Sequence, residues 1–287
     1  MTDMIISTVM NDYSKVFEDN IENITHDAGF FSCSTIRLNV LIDFYNKYKK
    51  LPKKIGCKNI YEIYKIDTKE DVSLNYFDNY ENYQNFEYKN DIYFHYSLQF
   101  TDYSKLNYND YNYFIQKYFS PSNEIKEKIT YLENKYNFDY SNICVLFYRG
   151  NDKNGETKIC GYDEYITIAQ KILINNPNII FLIQSDETQF IERMLSVFPN
   201  NSFYFKDEIR HIERHTGHTV DAQYYNYTNY KKDTYSKFYL AITIIMSKCK
   251  YIICGSGNCS LWIVLFRNNF DNIYQNLNGK WIENDLH

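Results

Sequence analysis

Residues 143–148 read Ile-Cys-Val-Leu-Phe-Tyr, an unbroken apolar run. A strand with one wet face alternates apolar and polar residues. A strand covered on both faces does not, and such strands belong to parallel sheets whose crossovers carry helices. Residues 179–184 (Ile-Ile-Phe-Leu-Ile-Gln) and 251–254 (Tyr-Ile-Ile-Cys) repeat the pattern. The intervals between them carry helical periodicity, which predicts helices over 124–136, 162–175, 187–197, 234–248 and 259–267. The first of these opens at Ser120-Pro121-Ser122-Asn123-Glu124, a strong start with proline in the first turn. A short strand is expected at 202–206 and a polar loop over 207–232. Strands alternating with helices imply right-handed βαβ units. The expected fold class is therefore α/β, doubly wound around a parallel sheet.

The first 110 residues are less regular. Ser32-Cys33-Ser34-Thr35 supplies capping side chains, and Ile36, Val40, Leu41, Phe44 and Tyr48 then recur at helical spacing. This predicts a helix that stops before Leu51-Pro52. Residues 66–91 read as a long connection and residues 92–98 (Ile-Tyr-Phe-His-Tyr-Ser-Leu) as a strand. At 287 residues the chain is long enough for two domains of about 100–200 residues. A hinge is expected near 112–124.

Composition narrows the function classes. Aromatics make up 18% and hydrophobic residues 44%, which excludes a disordered chain. The net charge of −5 comes with no basic domain, so nucleic acid is not an expected partner. No run of about 18 apolar residues predicts a membrane span. The opening Met-Thr-Asp-Met-Ile-Ile-Ser lacks the basic and apolar regions of a secretory signal. Seven scattered cysteines with no C-x-x-C pair read as reduced thiols in the cytoplasm. The 31 tyrosines have two readings, AT-rich codon bias and a carbohydrate-facing surface, of which bias is the simpler.

Ligands of open parallel sheets bind beyond the carboxyl ends of the strands. Three such ends carry polar clusters. After 143–148 comes Arg149-Gly-Asn-Asp152-Lys153-Asn-Gly-Glu156. Arg149 can fork onto a phosphate and Lys153 can act as a mobile point charge. Asp152 and Glu156 are candidate general bases. After 179–184 comes Ser185-Asp186-Glu187, which reads either as a hydroxyl-binding acidic pair or as a helix N-cap. After 251–254 comes Gly255-Ser256-Gly257-Asn258-Cys259-Ser260, whose N–H groups can converge on an anion at a helix N-terminus, or which forms a tight turn.

Other signals are weaker. His211, His215 and His218 share one polar loop without a definite fourth ligand, so a donor or acceptor contact is favoured over a metal. No D-x-D is present, which favours metal-free chemistry. Ser256 is flanked by Gly255 and Gly257 and so does not form the G-x-S-x-G of a hydrolase elbow. Tyr108, Tyr111, Tyr113 and Tyr118 read as core.

In their order, the three clusters resemble the donor domain of GT-B glycosyltransferases. The resemblance is to the superfamily of α-1,6-fucosyltransferases, nodulation fucosyltransferases and protein O-fucosyltransferases. It implies two Rossmann-like domains with parallel sheets and a cleft between them, here 1–115 on the acceptor side and 116–287 for the nucleotide sugar. It implies that Arg149 grips the donor diphosphate, with Asp152, Lys153 and Glu156 completing the catalytic set. Asp186, Glu187, His218 and the loop Gly255, Ser256, Gly257, Asn258 and Ser260 would bind the donor. Gly29, Phe30, Phe31 and Ser32, after Ala28, resemble the glycine-containing loop that faces the acceptor, a glycan or a protein. The implied reaction moves a fucose-like sugar from a donor such as GDP-fucose to a hydroxyl, with inversion and without metal or cofactor. A non-catalytic sugar-nucleotide-binding protein is the alternative. Gly150 stands where the family has a second arginine, and Ile242 falls near its base-binding aspartate. Glu156 follows Lys153 by three residues, where the family's glutamate follows by four. The tyrosine- and asparagine-heavy composition also resembles proteins of large DNA viruses, which implies the host cytoplasm or the virion.

Overall fold

The computed structural model describes residues 14–17, 19–65, 71, 73–78, 90–208 and 229–283. The chain begins with a hairpin, β1 (Ser14–Phe17) antiparallel to β2 (Asn20–His26). β2 turns Ile21 and Ile24 into the core and also runs parallel to two short strands, β3 (Lys54–Ile55) and β4 (Asn59–Ile60). Among the described residues this small mixed sheet is the sheet of the first half. The second Rossmann-like parallel sheet that was expected there is not among them.

Helix α1 (Phe30–Tyr48) is the spine of this half. It starts earlier than the capping side chains suggest, with Gly29 at the N-cap. The hydroxyl of Ser34 bonds back to the carbonyl of Phe30 (3.0 Å), and that of Thr35 lies 2.8 Å from the carbonyl of Phe31. Such back-bonding inside a helix satisfies the same groups that a cap would offer to N–H donors. The helix is buried nearly throughout from Phe30 to Tyr45, and Lys49 closes it in the left-handed region at φ 52°. The buried Arg37 guanidinium donates to the Tyr118 carbonyl (2.9 Å) and lies over the Phe119 ring (4.7 Å). A single helical turn, α2 (Ser73–Tyr76), follows.

The strand expected at 92–98 is instead an extended segment leading into a 3-10 helix, Tyr96–Phe100. Ile92 and Phe94 do point inward. The backbone of Ile92, however, bonds in both directions to the Asn46 side chain, in place of a neighbouring strand. Helix α3 (Tyr108–Tyr118) then packs against α1, and α4 (Asn123–Lys135) starts where proline and serine predict. The boundary expected after residue 115 falls inside α3.

The second half follows the predicted order closely: β5 (Ile143–Tyr148), α5 (Tyr162–Asn175), β6 (Ile180–Ser185), α6 (Thr188–Val197), β7 (Ser202–Phe203), α7 (Asn229–Lys248), β8 (Tyr251–Gly255) and α8 (Asn258–Arg267). Two strands were not foreseen, β9 (Ile273–Leu277) and β10 (Lys280–Glu283). The six strands form one sheet in the order β7-β6-β5-β8-β9-β10, parallel except for the β9–β10 hairpin. All six residues of β5 are buried, as its apolar run requires. The chain winds outward from β5 through β6 to β7, then crosses back to β8. Strand order therefore reverses between β5 and β8, and the crevice beyond their carboxyl ends is the place where such sheets bind ligands. Helix α8 packs against α1 and α3, and one apolar core runs from Ile21 to Tyr274. Among the described residues no helix is long and apolar enough to cross a membrane.

The buried Asp43 in α1 generates a test. Burial pushes its carboxyl up from the ordinary 3.8 to about 7, opposed in part by a 2.8 Å bond from Asn39 Nδ2. The unfolded chain therefore loses this proton at lower pH than the folded one, and stability falls as pH rises through that interval. Asp43→Asn should be more stable than the parent at about pH 8, with the gap shrinking toward about pH 5. Melting temperatures across that range check this, and a difference that does not change with pH would count against it.

Candidate functional site

β5 and β6 are neighbours in register, with Phe147 opposite Gln184 and Tyr148 opposite Ser185. The residues that follow each strand must then face one another. Backbone N–H groups leaving the sheet need acceptors, and two carboxylates provide them. Asp186 accepts from Arg149 Nε (2.9 Å) through one oxygen and from the Gly150 N–H (3.0 Å) through the other. Glu187 accepts from the Asn151 N–H (2.8 Å) and from the Tyr162 hydroxyl. Asn151 Nδ2 donates to the Asp186 carbonyl (3.2 Å), and Ser185 Oγ accepts from the Glu187 N–H (3.0 Å). Glu187 is 0% exposed and Asp186 is 7% exposed. The acidic pair expected to bind donor is thus turned inward, and its oxygens are engaged in holding the Arg149 turn.

That turn is tight. Asn151 sits at φ 38°, in the left-handed region. A Cβ on Gly150 would stand 1.8 Å from Glu187 Oε1. A side chain there would have to push the Glu187 carboxylate off the Asn151 N–H and the Tyr162 hydroxyl.

Arg149 is gripped on its other side by α7, where the Tyr239 hydroxyl lies 3.3 Å from Nη1. Tyr239 in turn meets Phe31 edge-on, with ring centroids 5.0 Å apart. Lys153 lies on the short 3-10 helix Asn151–Gly155, which also carries Asp152. Its Nζ donates to Glu156 Oε2 (2.6 Å). Its Cε lies 4.0 Å from where a Cβ of Gly257 would be. Lys153 therefore leans over the start of α8. The Cys259 thiol on the first turn of that helix registers both cations. Burial pushes it up to about 11, against the pull of the Tyr239 hydroxyl, Arg149 and Lys153.

The loop before α8 is braced from several directions. Gly257 adopts φ 148°, which a side chain would strain. Its N–H donates to the Tyr103 hydroxyl (3.1 Å). Ser256 Oγ donates to the Asn276 carbonyl (2.8 Å) and accepts from Gln275 Nε2 (2.8 Å). Asn258 Oδ1 is 2.9 Å from Thr35 Oγ1, which also accepts from Trp262 Nε1 (2.9 Å). The Ser260 side chain is buried, 3% exposed. The side chains of Ser256 and Asn258 thus hold the backbone in place. The groups suited to an anion are the first-turn N–H groups of α8, which have no carbonyl one turn back. Gly255 ends β8 with only the Tyr165 hydroxyl near it, 3.8 Å from a Cβ placed there.

The segment expected to face the acceptor is the N-terminus of α1. Gly29 is its N-cap, and the Ser32 hydroxyl lies 2.9 Å from His26 Nε2. Phe30 and Phe31 are core residues: Phe30 packs on Tyr61, Tyr64 and Tyr76, and Phe31 on Tyr239 and Trp262. Both rings are buried, 1% and 3% exposed, because helix formation turns them toward the interior. Ile242, near the expected place of a base-binding acid, is 0% exposed. His211, His215 and His218 lie outside the described residues, as do Tyr224, Tyr225 and Tyr227 of the polar loop expected over 207–232. Among the described residues no three His, Cys, Asp or Glu side chains are placed to hold a metal ion. The residues that sequence reasoning missed are Tyr239, Tyr162, Tyr103, Gln275 and Thr35. Each acts through a partner distant in sequence, and none carries a local motif.

No protein-family model matches the chain, and no curated protein does. Solved structures do. The chain is similar to a NodZ α-1,6-fucosyltransferase soaked with GDP-fucose, at 13% identity and a TM-score of 0.41 over 62% of this chain and 54% of that one. A crystal of NodZ grown with GDP gives 14% and 0.40, over 59% of this chain and 50% of that one. The fucosyltransferase NodZ from Bradyrhizobium gives 13% and 0.41, over 59% of this chain and 51% of that one. The chain spans about half the length of these structures. At this distance the site must be read from the chain's own geometry.

Gly150→Ala tests that geometry. The added methyl must displace a buried carboxylate that holds two other groups. We expect a loss of about 1–3 kcal/mol in urea unfolding. An unchanged midpoint would mean that the Glu187 contact does not constrain the turn.

Proposed function

We propose that the crevice between β5 and β8 binds a nucleotide diphosphate sugar and that the chain is a glycosyltransferase acting on a hydroxyl acceptor. The observation that carries this reading is Arg149, clamped between Asp186 and Tyr239, with Lys153 leaning over the start of α8. Two cations and a helix N-terminus converge where strand order reverses, an arrangement suited to a diphosphate. Breaking the anomeric C–O bond leaves its electron pair on the departing phosphate oxygen. Arg149, Lys153 and the first N–H groups of α8 are the groups to meet that charge. Such preorganised donors are typically worth about 3 kcal/mol each. The acceptor oxygen attacks the anomeric carbon from the opposite face, giving inversion, and its proton passes to Glu156 or Asp152. The reaction is proposed to run without a metal. On the resemblance of the three motifs, GDP-fucose is the first donor to test.

A second reading, a non-catalytic sugar-nucleotide-binding protein, is favoured by one observation. The Glu156 carboxylate is already paired with Lys153, which ties a candidate base to a candidate phosphate ligand. Release of free nucleotide diphosphate from the donor in the presence of acceptor separates the two readings.

Arg149→Ala should lower turnover per folded molecule more than about a hundredfold, and unchanged transfer would sink the assignment. Transfer should also survive EDTA in the assay, whereas strict dependence on Mn²⁺ would contradict the metal-free proposal.

A further inference from the structure

β2 runs parallel to β3 and β4 and ends at His26. A three-residue loop, Asp27-Ala28-Gly29, carries the chain from its carboxyl end into α1. Strand, short loop and helix N-terminus thus repeat in the first half the arrangement of β8, its loop and α8 in the second, at the edge where parallel sheets bind ligands. The loop is fixed. The Cys33 thiol donates to the Ala28 carbonyl (3.3 Å), and the Phe30 N–H donates to the Tyr64 hydroxyl (2.7 Å). Across the loop, His26 Nε2 lies 2.9 Å from Ser32 Oγ. A serine hydroxyl within hydrogen-bond reach of an imidazole is the geometry of a nucleophile and its base.

Contacts on both sides of Ser32 lead to the crevice. Ser32 and Thr35 are one turn apart on the same side of α1, with Cβ atoms about 5–6 Å apart. Thr35 Oγ1 lies 2.9 Å from Oδ1 of Asn258, the first residue of α8. Lys153 leans over Gly257, the residue before it. Phe31, next to Ser32 in sequence, meets the Tyr239 ring, whose hydroxyl is 3.3 Å from Arg149 Nη1. Helical side chains lean toward the N-terminus, so Ser32 leans over the open end of α1. The other hydroxyls at the starts of the two helices are withdrawn: Ser34, Thr35, Ser256 and Ser260 are buried. Ser34 and Thr35 bond back along α1, and Ser256 bonds β9. Ser32 and His26 are half-buried.

We infer that Ser32 is a self-modification site, a hydroxyl that takes the sugar of a bound nucleotide diphosphate donor with His26 as its base. The inference rests on the glycosyltransferase reading of the crevice. Ser32 Oγ bonds the anomeric carbon as the bond from that carbon to the phosphate oxygen breaks. The electron pair leaves on the diphosphate, toward Arg149 and Lys153. The serine proton passes to His26 Nε2 and from there to water. The products are an O-glycosyl serine and a free nucleoside diphosphate, so no further reactant is needed. With its proton on Nδ1, the neutral ring presents Nε2 to the serine hydrogen. Burial lowers His26 from the ordinary 6.5, which keeps the ring neutral at about pH 7. The Asp27 carboxylate beside it opposes that shift and favours the imidazolium as it forms. A serine glycoside has a poor leaving group, so the sugar stays on the chain.

The test is intact-mass and peptide mass spectrometry of the full chain incubated without acceptor, separately with GDP-fucose, GDP-mannose, UDP-glucose and UDP-N-acetylglucosamine. Release of free GDP or UDP is measured in the same samples, and variants are compared at equal folded fraction, read by circular dichroism. With at least one donor the parent should gain a single sugar unit, mapped to Ser32. Ser32→Ala should gain none, and Ser32→Thr should still be modified. His26→Asn should slow the modification by about a hundredfold or more, and imidazole in the buffer should restore part of the rate. Nucleotide release without sugar on the chain, sugar on a residue other than Ser32, or an unchanged rate in His26→Asn would overturn the inference and leave the transferase reading standing. Release of no nucleotide from any of the four donors would overturn both.

Discussion

The carboxylate of Asp186 is the interaction on which the site depends. It takes the N–H of Gly150 and the Nε of Arg149 at once, from a position that is 7% exposed. A buried carboxylate without a countercharge is costly, and Arg149 supplies that countercharge. The same guanidinium is the group that a departing phosphate would meet. Its position is therefore set by the demand of the fold for neutrality at the end of β6, before any ligand arrives. Glu187 extends the principle one residue further by taking the Asn151 N–H, so the whole turn after β5 is tied to the turn after β6.

The start of α8 is held with equal care but by neutral groups. Gln275 and the Asn276 carbonyl hold Ser256, Tyr103 holds Gly257, and Thr35 holds Asn258. These contacts come from β9, from the segment before α3, and from α1. A loop that looks in sequence like a set of serine and asparagine ligands works differently in three dimensions. Its polar side chains hold the backbone, and the first-turn N–H groups of α8 are left without carbonyl partners one turn back. Donors fixed in this way need little reorganisation when a charge arrives.

What was legible in the sequence follows from this division. β5, β6 and β8 sit inside a sheet covered on both faces, so their apolar runs were unambiguous, and the helices between them kept a clear period. β9 escaped because Gln275 and Asn276 break its apolar run, and they are polar because they serve the loop before α8 and the hairpin turn. β3 and β4 have two residues each, too few for any pattern. The start of α1 was misplaced because Ser34 and Thr35 bond backward along the helix, a use of the hydroxyl that composition does not distinguish from capping. Arg149 and Lys153 were found from their place at a strand end. That Asp186 and Glu187 face inward could not be read, because it depends on which strands are neighbours and in what register.

The Gly150 position shows how such a departure can be understood physically. The space beside residue 150 is filled by Glu187, whose oxygen would lie 1.8 Å from a Cβ there. Glycine and glutamate therefore form one solution: the carboxylate holds the Asn151 N–H, and a side chain at residue 150 would have to displace it. A second cation comes from Lys153, two residues beyond Asn151 and beside Gly257. That cation is a point charge on a flexible stem, leaning over the helix start. Because that ammonium also pairs with Glu156, the charge it presents to the crevice depends on the position of the glutamate.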